Sequence, residues 1–367
     1  MKVAEITGEP LVHGGQEVFI LDLLRHITDP EIQIDVIAPY NCYNHSFEEM
    51  LSLRGGKLIQ LGLHFARGKS RKSLLKPLYK TLKRENYDVI HIHSGSISAL
   101  AYCALAANRA GCRRVIVHSH LAGIPSFKHR MVQLVFSPLL TVFATDWLAC
   151  SRKAGEDKYS KSIVEKKLIV IKNGIELQEY QRNNALGQET RKELGIAPNA
   201  FVIGHVGRFS YEKNQLFLVD VFADVHNKNP RSCLLLIGDG ELEAVVKERV
   251  SVLGLNHCVY FTGATDHVST FYNVMDCFAF PSLFEGLGYV LVEAQANGLP
   301  CLISDSLPDD AMVNSNVNKL PLQKELWTEN LLKIKLQDCI ADQSALIKAG
   351  FSVHETAKTM EAIYRRL

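Results

Sequence analysis

The 367-residue chain has no C-x-x-C pair among its nine cysteines, no basic leader ahead of an apolar stretch, and no apolar run long enough to span a bilayer. The first absence argues against a zinc ribbon or a disulfide framework. Several cysteines lie in apolar runs such as Asp276-Cys277-Phe278-Ala279-Phe280, so the thiols read as reduced core residues. The second predicts a protein without a secretory leader, resident in the cytoplasm. The nearest approach to a membrane span is Met131 to Thr145, fifteen residues without a charge. A spanning helix needs about 20 residues, and Pro138 sits in the middle of this one. A buried helix is expected there, a membrane-touching face being the alternative. An Asp-x-Asp pair at a strand end, which would hold a divalent ion on phosphates, is also missing.

What is present is the composition of a soluble folded protein, 47% hydrophobic and 22% charged. That excludes collagen-like, disordered and multi-spanning classes. The length suggests two domains, and the cleft between domains is a common ligand site. The net charge of +2 conceals an asymmetry. Through Lys172 there are 24 basic against 15 acidic residues, a net of +9, and the remainder carries −7. Much of the excess lies between Arg67 and Arg84, which contains eight basic residues and no acidic one. Such a run can attract an anionic bilayer at about 1 kcal/mol per basic residue; the alternative is an ordinary solvated helix face. Nucleic acid is disfavoured, because the run lacks interleaved stacking aromatics.

The first half alternates β-rich runs (Lys2–Thr7, Ile32–Ala38, Leu58–Leu63, Asp88–His93, Arg114–Ser119, Trp147–Cys150) with helical stretches at Gln16–Ile27, Ser70–Glu85 and Ser96–Ala110. This alternation implies a mostly parallel sheet covered on both faces, with ligands beyond the carboxyl ends of its strands. After Leu168–Ile171, the polar, turn-rich segment from Lys172 to Pro198 reads as the domain connection. A second α/β run follows, with strands at Phe201–Val206, Cys233–Ile237, Val259–Phe261, Cys277–Phe280 and Cys301–Ser304. The expected domains are 1–172 and 173–350, with a final helix over 351–367.

The strongest local signal runs from Phe280-Pro281 through Glu285-Gly286-Leu287-Gly288-Tyr289 to Glu293. A strand ends, two glycines relax the backbone and a helix begins, so free amides and the helix dipole make a seat for phosphate. Glu285 and Glu293 would stand about 10 Å apart, given a rise of ~1.5 Å per residue. That is too far to share a proton, but suited to hydrogen bonds from a sugar at one end and a ribose at the other. Arg208 and Lys213 follow the first strand of the second half and suit a diphosphate. Gly14-Gly15 opens the first helix and permits close backbone approach to a ligand. His91-Ile92-His93 and His118-Ser119-His120 lie at strand ends with each pair on one face. Metal chelation, contact with a polyhydroxy ligand and a purely structural role all stay open for them.

Taken in order, Gly14-Gly15, His118-Ser119-His120, Lys172-Asn173-Gly174-Ile175, Gly207-Arg208 with Lys213, Gly238-Asp239-Gly240 and the Pro281-to-Glu293 segment resemble family 4 glycosyltransferases. Among these the likeness is to bacterial capsular or exopolysaccharide enzymes. It extends over nearly the whole chain and is most specific from Asp276 to Asp305.

The resemblance implies an α/β GT-B fold: two Rossmann-like, doubly wound domains facing across a cleft, the last helix crossing back to the N-terminal one. It also implies retaining, metal-independent hexosyl or N-acetylhexosaminyl transfer from a nucleotide sugar. By analogy the donor is a UDP-sugar and the acceptor a glycan or polyprenyl-diphosphate-linked saccharide, at the inner membrane face. His120 and Glu285 would serve catalysis beside the donor sugar, and Glu293 would meet the ribose. Arg208 and Lys213 would hold the diphosphate, with Gly15 on its other side. Gly286, Leu287, Gly288 and Tyr289 would orient sugar and phosphate. No residue declares itself a covalent nucleophile, and no cofactor is implied. Two departures limit the transfer of roles: Gly263-Ala264 lacks the arginine often found after that glycine, and Pro308-Asp309-Asp310 stands where a glutamate is common. The competing readings are a nucleotide-sugar epimerase, a non-catalytic partner of the same fold, and a metal-dependent hydrolase built on the histidine pairs.

Overall fold

The computed structural model describes residues 1–11, 15–43, 45–66, 70–121, 127–285, 287–335 and 343–366, with side chains 127–129 left undescribed. The chain forms two compact units, Met1–Gly174 with Gly350–Leu367, and Ile175–Ala349.

The N-terminal unit is built on seven parallel strands: β1 (Lys2–Thr7), β2 (Gln33–Ala38), β3 (Leu58–Gln60), β4 (Val89–Ser94), β5 (Arg114–Ser119), β6 (Asp146–Ala149) and β7 (Leu168–Val170). Their order is β3-β2-β1-β4-β5-β6-β7, so the winding reverses between β1 and β4. Side chains alternate between two apolar layers, as expected of a sheet covered on both faces. Ala4, Ile6, Ile90, Ile92, Val115 and Val117 enter one. Val3, Val36, Val89, Ile116 and Leu148 enter the other, beneath Phe19 of helix Gly15–His26 and Met360 and Tyr364 of the final helix, Val353–Tyr364. Ser352 caps that helix by accepting from Glu355 N. Gly174 lets the chain pass close to it, since a Cβ there would lie 2.3 Å from Val353 N.

The second unit has six parallel strands: β8 (Phe201–Val206), β9 (Ser232–Ile237), β10 (Val259–Phe261), β11 (Cys277–Phe280), β12 (Cys301–Ser304) and β13 (Val317–Leu320). They run in the order β10-β9-β8-β11-β12-β13 and reverse between β8 and β11. Reversal points leave a crevice at the carboxyl ends of the strands, where ligands of such sheets bind.

Three segments differ in detail from what their composition suggests, the boundary between the units falling at Gly174–Ile175, inside the polar segment expected to form the connection. The polar segment after Lys172 folds into the second unit as a short turn, Leu177–Tyr180, and a helix, Asn184–Glu193; its Arg191 is buried against Asp276 at 2.9 Å and bonds the carbonyls of Val274 and Ala200. The uncharged segment lies in helix Phe127–Phe143, which runs through Pro138. That helix is only partly buried, with Leu134, Val135 and Val142 exposed. The basic run begins as a short 3-10 turn before helix Leu75–Glu85, and its Arg71 is buried over the Phe65 ring at 4.3 Å. Arg67 and Lys69 lie outside the described residues. β13, which is polar at Asn318 and Lys319, had no apolar signal to announce it.

Candidate functional site

In the C-terminal unit the predicted residues gather where the winding reverses. Arg208 and Lys213 follow β8, and Glu285 follows β11. The loop after β8 is packed against the β9 end through glycines. Gly238 has φ 131°, and a Cβ on it would lie 2.3 Å from Gly207 O. Asn214, at φ 57°, donates to Pro281 O, and Leu283 N donates to Glu212 O at 2.8 Å. These contacts hold Lys213 and Glu285 together, with Nζ 2.6 Å from Oε1 and only 17% and 12% of the side chains exposed. The ammonium also lies 5.2 Å from the Phe280 ring centre. Arg208 stands more open, 69% exposed and bonded to Glu241 at 3.1 Å.

Beneath them His205 is buried and donates through Nδ1 to Ala279 O at 2.9 Å. Burial pushes its pKa down to about 4, so it is a neutral ring. Its Nε2 has no partner among the described residues.

Gly288 takes a left-handed φ of 79° and caps helix Tyr289–Asn297. Glu285 precedes this helix and Glu293 is its fifth residue. Glu293 accepts from Tyr272 Oη at 2.8 Å and is also bonded by Tyr180. Burial dominates and raises its pKa to about 7. Leu287 and Tyr289 are partly buried beside Gly288; Gly286 lies outside the described residues. Sequence reasoning missed Tyr180 and Tyr272, for which no local motif gave a signal.

In the N-terminal unit Gly15 opens its helix, and its carbonyl accepts from Asn173 Nδ2 at 2.9 Å. Gly14 lies outside the described residues. The two His-x-His pairs share the face beneath Phe19. Glu5, fully buried on β1, lies 2.5 Å from His93 Nε2 and 3.1 Å from His91 Nδ1. It also accepts from Tyr364 Oη at 2.5 Å. His93 Nδ1 meets His120 Nε2 at 2.8 Å, and His91 Nε2 meets His118 Nδ1 at 3.3 Å. Burial lowers the pKa of His93 to about 4 and those of His118 and His120 well below the usual imidazole value. Burial alone would raise Glu5, but His91 and His93 outweigh it and hold its carboxyl below the carboxylate range. Nitrogens of His91, His93 and His118 lie within 4.8 Å of one another, close enough to hold a metal ion; the hydrogen bonds among the rings, Glu5 and Tyr364 offer a metal-free account of the cluster. Glu5 and Tyr364 were not anticipated, because residues 359 positions apart carry no local pattern.

Comparison with known proteins bears on these arrangements. Residues 187–345 match the family model described as Glycosyl transferases group 1, and residues 13–179 match Glycosyltransferase Family 4. The putative glycosyltransferase EpsF of Bacillus subtilis (strain 168) is 32% identical over 327 residues, covering 87% of this chain and 84% of EpsF. The UDP-Gal:alpha-D-GlcNAc-diphosphoundecaprenol alpha-1,3-galactosyltransferase of Escherichia coli is 29% identical, covering 86% and 82%. Among solved structures, Anabaena Alr3699/HepE in complex with UDP superimposes with a TM-score of 0.78 at 20% identity, covering 100% of both chains. The same protein was also solved with UDP-glucose.

Proposed function

Since the chain belongs to the family 4 glycosyltransferases and has their two Rossmann-like domains, we propose that it transfers a sugar from a UDP-sugar to a lipid-linked saccharide. Transfer occurs with retention at the anomeric carbon, without a metal ion, in the assembly of a bacterial surface polysaccharide. The observation that carries this reading is the Lys213–Glu285 pair at the reversal point, beside the start of a helix. A diphosphate competes with Glu285 for the ammonium, and the carboxylate so released accepts hydrogen bonds from sugar hydroxyls. Arg208 and the amides at the start of helix Tyr289–Asn297 add positive potential. Glu293, held by two tyrosine hydroxyls, receives the ribose. UDP as carrier is supported by the Anabaena complexes, and a diphosphoundecaprenol-linked acceptor by the name of the Escherichia coli relative.

In the reaction the bond from the anomeric carbon to the β-phosphate oxygen breaks, its electron pair leaving with UDP. The acceptor oxygen bonds the same face of that carbon, and its proton passes to the departing phosphate oxygen. The protein orients both partners and stabilises charge on the leaving group. Lys213 and Arg208 supply that stabilisation without a divalent ion. In the N-terminal unit His120, just past the end of β5, is the group that meets a sugar hydroxyl.

A lipid-linked acceptor calls for a membrane-facing surface. Met131, Leu134, Val135 and Val142 form one exposed apolar stripe on helix Phe127–Phe143, and Lys76, Lys80, Lys83 and Arg84 are exposed on helix Leu75–Glu85. Both helices pack against helix Ile97–Ala110. An apolar stripe flanked by cations suits an anionic bilayer surface. No helix among the described residues is long and apolar enough to cross a membrane.

The test is thermal stability against UDP, GDP, ADP and their sugars, with and without EDTA. A ligand at 100 times its Kd adds about 2.7 kcal/mol. A chelator-resistant shift with UDP, and turnover of a UDP-sugar only with acceptor present, are expected. No shift with any nucleotide, or loss of turnover in EDTA, overturns the corresponding part of the reading.

A further inference from the structure

The buried carboxylate of Glu5 sets a direction for every hydrogen bond attached to it. An ionised carboxylate only accepts, so His93 must carry its proton on Nε2, 2.5 Å away. In a neutral ring the other nitrogen is then an acceptor. His93 Nδ1 therefore receives the proton of His120 Nε2 at 2.8 Å, and His120 Nδ1 is left with a lone pair. That atom is buried and has no partner among the described residues. The opposite polarity would place two lone pairs, or a lone pair and a carboxylate, face to face.

A second branch obeys the same rule. Tyr364 Oη donates to Glu5 and accepts from His91 Nδ1 at 2.8 Å; His91 Nε2 then accepts from His118 Nδ1. His118 Nε2 is likewise left bare. Both terminal nitrogens are buried, but the two residues differ in place. His118 is wholly buried, whereas His120 lies one residue past the end of β5 and is partly exposed. Phe19 packs against all four rings, its centre 4.9 Å from His118 and 5.5 Å from His120, which fixes their planes. An apolar cluster would fill this layer without the cost of burying a charge.

We propose that Glu5 and His93 are positioning residues that hold His120 in the Nε2–H tautomer, so that its Nδ1 accepts a hydrogen bond from a sugar hydroxyl during transfer. This rests on the reading of the protein as a sugar transferase. The carboxylate acts two rings away from the ligand, by fixing which nitrogen carries the proton, a role known for buried carboxylates behind single catalytic histidines. The lowered pKa values of His93 and His120 agree with neutral rings in the branch that ends at His120.

The first measurement is the ring-nitrogen spectrum of the full chain labelled with 15N-histidine, at pH 7.5 without substrate, His120 being assigned by its loss in His120→Gln. An Nε2–H tautomer with unprotonated Nδ1 is expected. The opposite tautomer, or a cationic ring, overturns the proposal whatever the enzyme's activity.

The second measurement uses Glu5→Gln, whose amide can donate to His93 Nε2 and so reverse the chain. His120 should then show a proton on Nδ1, and kcat should fall at least tenfold while UDP affinity changes less than twofold. A reversed tautomer with unchanged kcat overturns the proposal. Tyr364→Phe breaks only the second branch and should preserve the His120 tautomer; its loss there would assign the effect to packing and overturn the role of Glu5 and His93. Failure of nucleotide binding with the expected tautomer would refute the transferase reading alone.

Discussion

Lys213 and Glu285, 72 positions apart, meet at 2.6 Å from the ends of two neighbouring strands, β8 and β11, between which the sheet of the C-terminal unit reverses its winding. The pair is mostly shielded from water, so each charge is the other's main compensation until a ligand arrives. Its two members should therefore have separable effects.

Lys213→Ala should weaken UDP binding at least tenfold, about 1.4 kcal/mol, as read by calorimetry. Glu285→Gln should leave UDP affinity within about threefold but cut turnover by about a hundredfold or more, because the proposed role of its carboxylate is toward the sugar and not the nucleotide. Equal losses of binding and turnover in both variants would contradict the assigned division.

Glu293 predicts a pH dependence of opposite sign to that of most carboxylates. Its folded pKa, raised to about 7 by burial, exceeds the unfolded value, so the folded state binds the proton more tightly. Its contribution is fully present below the unfolded pKa and is lost as pH rises through about 7. Glu293→Gln should melt above the wild type at pH 8 and with it at pH 5. Parallel melting curves across that range would refute the burial argument.

The histidine layer predicts the reverse. Unfolded histidines take up protons near pH 6.5, whereas His93 does so only near 4, and burial holds His118 and His120 well below the usual imidazole value. Stability of the N-terminal unit should thus fall as pH drops from about 6.5 toward 4, and Glu5 extends the loss below the carboxylate range. The two tryptophans fall one to each unit, so fluorescence of Trp147 in a Trp327→Phe background reads this unit selectively. His118→Gln should flatten the decline, and an unaltered slope would count against these shifts.

Gly238→Ala tests the support of the phosphate side. With φ at 131° and Gly207 O at 2.3 Å from the added Cβ, the substitution must displace the backbone that leads to Arg208. A loss of about 1–3 kcal/mol, the range typical of overpacking, and weaker UDP binding are expected in denaturation and calorimetry. Gly195→Ala is the control: its φ of 72° is strained too, but nothing lies within 4 Å, so only stability should suffer.

For the membrane surface, sedimentation with phosphatidylglycerol vesicles but not with phosphatidylcholine vesicles is expected. Lys76, Lys80 and Lys83 exchanged for glutamate should abolish it, and Leu134→Ser with Val135→Ser should weaken it at high salt, where screening removes the charge term. Binding that ignores lipid charge would sink the idea.

The strand–helix alternation, the positions of most strands and the grouping of Arg208, Lys213 and Glu285 were legible in the chain because each rests on a short-range signal. Apolar runs mark strands buried on both faces, and glycines beside a strand end mark a turn that a ligand can approach. Where such signals fail, so does the reading. β13 is held by pairing with β12 and not by apolar content. The polar segment after Lys172 is organised by buried bonds from Arg191 to the distant Val274 carbonyl and Asp276 carboxylate.

The histidine pairs mark the limit most clearly. Period-two spacing placed each pair on one face, but could not choose among metal, ligand and structure. That choice depends on what lies opposite, and the winding of the sheet brings Glu5 from β1 while the final helix brings Tyr364. By itself the sequence determined the units of the fold and the residue types of the candidate site. Tertiary structure decided which groups are buried, which partners hold them and hence which protons they carry, because desolvation and hydrogen bonding arise only when distant segments pack together.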